Sequence, residues 1–120
     1  MAKFLVHIHT GPENPTKATL GCLVALTALK EGHEVDLFLA GDAVHLFAPA
    51  TVASLEGHGT GRLSDLLPAI AQASGRFHLS GKSAQARGYD SSLLAGHPAV
   101  FAMPDVLVRL AAEADVVLTY

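Results

Sequence analysis

The 120 residues leave room for one domain, residues 1–120, with enough chain to bury a core without disulfide or metal staples. Half of them are hydrophobic and only 16% are charged, against about 25% in an average soluble domain, which points towards surface hidden against other copies of the chain. The formal charge of −3, with no Lys/Arg cluster, excludes the electrostatic footprint of a nucleic-acid binder, and no apolar run reaches the ~20 residues of a membrane span.

Residues 3–9 read as a first strand, short, apolar and partly β-branched, with Leu5, His7 and His9 on one face. Because the chain runs straight into this strand, no leader segment is expected. A loop of turn-forming residues follows from Thr10 to Pro15, with Asn14 or Thr16 suited to cap the next helix. That helix covers residues 16–31 and is apolar on nearly every side. Leu20, Leu23, Val24, Thr27 and Ala28 make one face, and Cys22, Ala25, Leu26 and Leu29 fill the other. Such a helix is expected to be buried all round, against a neighbouring helix or another subunit. Its lone Cys22 cannot form an internal disulfide, which suits a reducing cytoplasm, and burial would leave the thiol inert. Residues 34–39 make the second strand and complete a βαβ unit. Ligands of such units bind beyond the carboxyl ends of the strands, so His9 to Asn14 is the first place to look.

After Asp42 a helix through Ala43, Val44, Leu46 and Phe47 is interrupted at Pro49 and resumes over residues 50–55. Residues 56–61 read as a flexible loop from their three glycines. The pattern predicts a helix over 63–74, where Pro68 requires a nearby start and selects Ser64 as cap. Residues 76–80 are a third strand, and Gly81, Lys82 and Ser83 turn into a short helix carrying Arg87 and stopped by Gly88. Residues 89–96 read as irregular, 99–102 as a short strand, Pro104 as the start of a last helix, and 115–119 as the final strand. This order predicts an α/β fold, a flavodoxin-like three-layer α/β/α sandwich around a mostly parallel sheet with right-handed crossovers.

The stretch from Phe77 to Gly88, a strand leading through Ser80-Gly81 into a short helix that ends Ala86-Arg87-Gly88, resembles the DsrE/DsrF-like family of small sulfur-handling proteins. Gly32 to Val35 before the second strand, Asp42 to Val44 after it, and Ala114 to Leu118 at the close agree with the same family. The resemblance implies a three-layer fold and assembly into homotrimers or homohexamers. In several members it also implies a cysteine that carries sulfur as a persulfide, and at that position this chain has Ser80. A serine hydroxyl cannot become a persulfide and is barely ionised at neutral pH. The resemblance therefore implies the fold and the assembly, but not the carrier chemistry.

A polar pocket is expected where the strands end, lined by His9, Thr10, Asn14, Ser80, Gly81 and Arg87 and suited to a small anion, a sulfur-related ligand or a sulfur-relay partner. Ser80 can equally serve as a plain helix cap, and Asn14 likewise. No nucleophile elbow surrounds Ser80, and His78 lies two residues back, about 7 Å along the strand. The enzyme alternative is a sulfur-relay or small-group transferase using Ser80, His78 and Arg87. A weaker alternative places zinc or copper on His7, His9 and His78, provided the first and third strands pair. No cofactor is expected from the motifs.

Overall fold

A computed structural model describes residues 1–120. The apolar runs pair into a five-stranded sheet in which every strand is parallel to its neighbours. In chain order the elements are β1 (Lys3–Ile8), α1 (Pro15–Lys30), β2 (Glu34–Leu39), a 3-10 helix (Gly41–Phe47), α2 (Pro49–Ser54), β3 (Glu56–Gly57) and β4 (Gly61–Arg62). Then follow α3 (Leu63–Gln72), β5 (Arg76–Ser80), α4 (Gly81–Ala86), a second 3-10 turn (Ser91–Leu94), β6 (Ala99–Ala102), α5 (Pro104–Glu113) and β7 (Val116–Thr119). The order across the sheet is β6-β5-β2-β1-β7. No helix is long and apolar enough to cross a membrane.

Strand order decides which face each helix covers. From β1 through β2 and β5 to β6 the chain always steps the same way, so right-handed crossovers put α1, α3 and α4 on one face. There Val6, Ile8, Leu37, Leu39, Phe77 and Leu79 join the helices in the main core. The step from β6 to β7 runs back across the sheet and drops α5 on the opposite face. Its Val106, Leu107, Leu110 and Ala111 cover Leu5, Phe38 and Ala102. One helix cannot cover five strands, and Val100 and Val117 at the two margins stay 54% and 45% exposed.

The expectation that α1 is buried all round is met on one side only. Ala18, Gly21, Cys22, Ala25, Leu26 and Ala28 are buried, but Leu20 is exposed, and Leu23 and Val24 are half-buried. Within a single chain no further helix is left to cover that side. It borders an open, mainly apolar cavity of about 360 Å3 that includes Phe4, Leu23 and Val24.

Three local expectations are corrected. The segment after β2 is a 3-10 helix rather than an α-helix, and Pro49 opens α2 instead of interrupting a longer helix. Residues 56–62 are not a loose loop: β3 and β4 form a small antiparallel hairpin pinned to α1. Thr19 Oγ1 and Thr60 Oγ1 are hydrogen-bonded at 2.6 Å, and the His58 backbone N–H donates to Thr16 Oγ1 at 2.9 Å. Finally, Ser64 does not cap α3, which starts at Leu63 and carries Pro68 inside it. The Leu63 N–H donates to the Leu55 carbonyl, so the hairpin sets the helix start. The bond that Pro68 deletes would have gone to the carbonyl of Ser64, an exposed residue that water can reach.

Candidate functional site

The segments leaving β1, β2 and β5 meet at the carboxyl edge of the sheet and are laced together by short polar contacts. Ser80 ends β5 with 8% of its surface exposed, and its Oγ accepts from the Ser83 N–H at 3.1 Å, capping α4. The Ser83 Oγ accepts in turn from the Gly41 N–H at 2.8 Å, which ties α4 to the 3-10 helix. Arg87 donates from Nε and Nη2 to Asp42 Oδ1 at 3.1 and 3.0 Å, and from Nη1 to the Ser83 carbonyl at 3.1 Å. On the other side of β2, Gly11 lies so close to the Asp42 carbonyl that no Cβ fits between them. Asn14 Oδ1 accepts from the Lys17 N–H at 3.2 Å and caps α1. Thr10 is buried, whereas His9 is exposed and its N–H donates to the Tyr120 carbonyl at 2.9 Å.

The six expected residues therefore fall into two groups. Ser80, Gly81 and Arg87 share one corner with Asp42 and Ser83. His9, Thr10 and Asn14 stand across β2, about 10 Å away at two strand spacings. The open cavity at this edge, about 330 Å3, is lined by Gly81 together with Phe101, Ala102, Met103, Asp105 and Val106, and by none of the other five. Its wall is mainly apolar, with one carboxylate. Asp42 and Ser83, which hold the corner together, were not among the expected residues. Continuing the β2–β5 register, Asp42 occupies after β2 the place that Lys82 occupies after β5, and comparing strand ends would have found it.

The histidines do not form a metal site. β2 lies between β1 and β5, so Phe38 stands in register between His7 and His78. The Phe38 ring is 5.9 Å from His7 and 6.4 Å from His78 by centroids, and no three metal-ligating side chains converge anywhere. His78 is instead committed to Asp36, with 2.9 Å between Nε2 and Oδ1, and Arg76 grips the same carboxylate through Nε and Nη2, each at 2.9 Å. Burial alone would raise the Asp36 carboxyl; the hydrogen bonds and charges of His78 and Arg76 outweigh it and hold it well below the usual carboxylate range. An ionised carboxylate only accepts, so the proton of this pair sits on His78 Nε2. Cys22 is inert, since burial pushes its thiol up to about 12.

These environments fix the sign of a pH effect. Burial, and then the neighbouring His9, lower the pKa of His7; burial lowers that of His97; both start from 6.5. A histidine depressed in the folded state binds its proton more readily when unfolded, so stability rises with pH across the interval between the two values. Stability is expected to be full above about pH 7.5, to fall as the pH drops through the ordinary histidine range, and to level off below the folded pKa values. Thermal melts from about pH 8 to 5 check this, with His7→Gln expected to shallow the slope. A flat profile would contradict it.

The model of the DsrE/DsrF-like family matches residues 2–120. The chain belongs to the DsrE/DsrF-like family. Two solved structures show its fold. The YchN protein from E. coli superposes with a TM-score of 0.80 at 18% identity, covering 100% of both chains. A conserved protein of unknown function from Bacteroides thetaiotaomicron gives 0.73 at 11% identity, covering 99% of this chain and 95% of its own. No curated protein matches the chain significantly. Within the DsrE/DsrF-like frame, Ser80 is the residue that ends the third main strand, at the corner described above.

Proposed function

We propose that the protein is a homo-oligomeric binding member of the DsrE/DsrF-like family, a trimer or hexamer that holds a small anion or a sulfur-bearing group of a partner at the carboxyl edge without carrying sulfur itself. The observation that carries this reading is the state of Ser80. The residue is nearly buried, its hydroxyl oxygen is used as the α4 cap, and the imidazole on its own strand, His78, is committed to Asp36. A nucleophile needs a base within hydrogen-bond reach, and Ser80 is arranged as a structural acceptor. Arg87 is the cation of the corner; an incoming anion would compete with Asp42 for it. The uncovered side of α1, with Leu20, Leu23 and Val24, supports burial against another subunit. A reducing cytoplasmic setting suits the unpaired Cys22.

Two measurements test the reading. Native mass spectrometry is expected to give a trimer or hexamer, and a bare monomer would sink the assembly. With a persulfide donor, Ser80→Cys is expected to gain one sulfur atom where the parent gains none. Sulfur uptake by the parent would overturn the reading, and an inert cysteine variant would remove its link to carrier relatives.

A further inference from the structure

β7 is an edge of the sheet, and its outer side has no partner within the chain. In a parallel ladder every second residue turns both of its backbone groups to the same neighbour. Tyr120 turns both to β1: its N–H donates to the His7 carbonyl and its carbonyl accepts from the His9 N–H, each at 2.9 Å. Leu118 and Val116 share its parity, so the N–H and C=O groups of Val117 and Thr119 point outwards. Asp115, next in that outward series, has its N–H bonded to the Lys3 carbonyl at 2.8 Å. The free edge is therefore confined to Val117 and Thr119.

Strands that must stay unpaired usually carry charges or prolines at the edge. β6, at the other margin, has Pro98 directly before it and Pro104 two residues after it. Val116 to Tyr120 holds neither a charge nor a proline. Val116, Leu118 and Tyr120 are half-buried on the α1 face, and Val117 is 45% exposed on the other. The uncovered flank of α1 lies beside this edge. A Cβ on Gly21 would stand 3.2 Å from the Tyr120 Cβ, and the apolar cavity along α1 includes Phe4, the register partner of Val116. An unguarded edge and an open helix flank thus make one surface.

We propose that β7 pairs antiparallel with β7 of a second copy about a two-fold axis at Leu118, joining the two five-stranded sheets into one. The free groups set the register, because antiparallel strands bond through residues that exchange both N–H and C=O. With the axis at Leu118, Val117 stands opposite Thr119 of the second copy and Thr119 opposite its Val117, so every outward group is bonded. An axis at Val117 would set Thr119 against Asp115, whose N–H is already bonded, and an axis at Thr119 would carry Val117 past Tyr120. On the α1 face Leu118 then meets Leu118, and Tyr120 meets Val116, an aromatic against a β-branched side chain. The edge is complementary to itself: a second copy brings matching apolar side chains and no charge. The contact rests on the homo-oligomeric reading above and narrows it, since a two-fold contact builds a hexamer and cannot occur in a cyclic trimer.

Native mass spectrometry of the parent is expected to show a hexamer, and Val117→Pro to reduce it to trimers. Proline there deletes an N–H that β1 does not use, so the fold should be kept, which circular dichroism checks. Leu118→Cys should give a disulfide-linked dimer under mild oxidation. Residues facing each other at a non-hydrogen-bonded pair have Cα atoms about 4.5 Å apart, within the reach of a disulfide. Val116→Cys should not link, since the two copies of that residue lie about 13 Å apart along the strands. The native Cys22 is buried and stays out of the reaction. A parent trimer would overturn the two-fold contact and leave the binding reading in place, whereas a bare monomer would overturn both. A hexamer untouched by Val117→Pro, or equal linking at Val116 and Leu118, would also overturn the contact. Should the proline variant fail to fold, the comparison of the two cysteine variants decides alone.

Discussion

Phe47→Ala is expected to lower the unfolding free energy by about 3–5 kcal/mol, a large part of the roughly 5–15 kcal/mol that holds a domain together. The ring is 1% exposed and sits where the 3-10 helix after β2 comes down on Phe77 of β5. Removing it deletes buried apolar surface and leaves a hole that its neighbours cannot close, because Leu46, Leu63 and Leu67 are already packed in the same core. Urea denaturation measures the loss. A value under about 1 kcal/mol would mean that the 3-10 segment is not part of the cooperative core, whatever its burial.

Gly11→Ala is expected to cost about 1–3 kcal/mol for a different reason. The backbone there is ordinary, with no left-handed φ, so the glycine is not needed for its conformational freedom. It is needed for closeness: an added Cβ would run into the Asp42 carbonyl. Either the loop before α1 or the start of the 3-10 helix must give way. Since Asp42 also holds Arg87, the displacement should travel two strands across the edge to α4. Denaturation gives the stability loss, and the NMR signal of Arg87 Nε–H gives the reach. A destabilised variant with an unmoved Arg87 signal would show that the lacing is local rather than continuous.

Much of the architecture was legible because local signals and the tertiary outcome agree. Asn14 and Ser80 read as helix caps, and each accepts from the N–H three residues on. The alternation of core residues along β1, β2 and β5 assigns their faces. What failed depended on contacts between distant residues. Glycine-rich residues 56–61 read as loose because nothing local says that Thr60 will meet Thr19, 41 residues away. The rule for proline points to Ser64 as a cap, yet the start of α3 is set by Leu55 through the hairpin. The pairing of His7 with His78 required β1 and β5 to be neighbours, and strand order is a global property that no short window contains. The candidate site was half legible for the same reason. Residues at strand ends could be named, but not which of them share a corner, nor that Asp42 would claim Arg87.

The strand order also bears on how the molecule comes together in time. β1, β2, β5 and β6 lie side by side in the order of the sequence, so each pairing joins neighbours in chain order. β7 does not follow that rule: it returns to β1, and the backbone of Lys3 is bonded to the Asp115 carboxylate across 112 residues. The entropy of closing so long a loop must be met before this pairing gives anything back. Until then β1 presents an open row of amide and carbonyl groups, able to take up a strand from any other chain. The slow step of folding and the window for misassembly should therefore coincide, both ending when β7 docks.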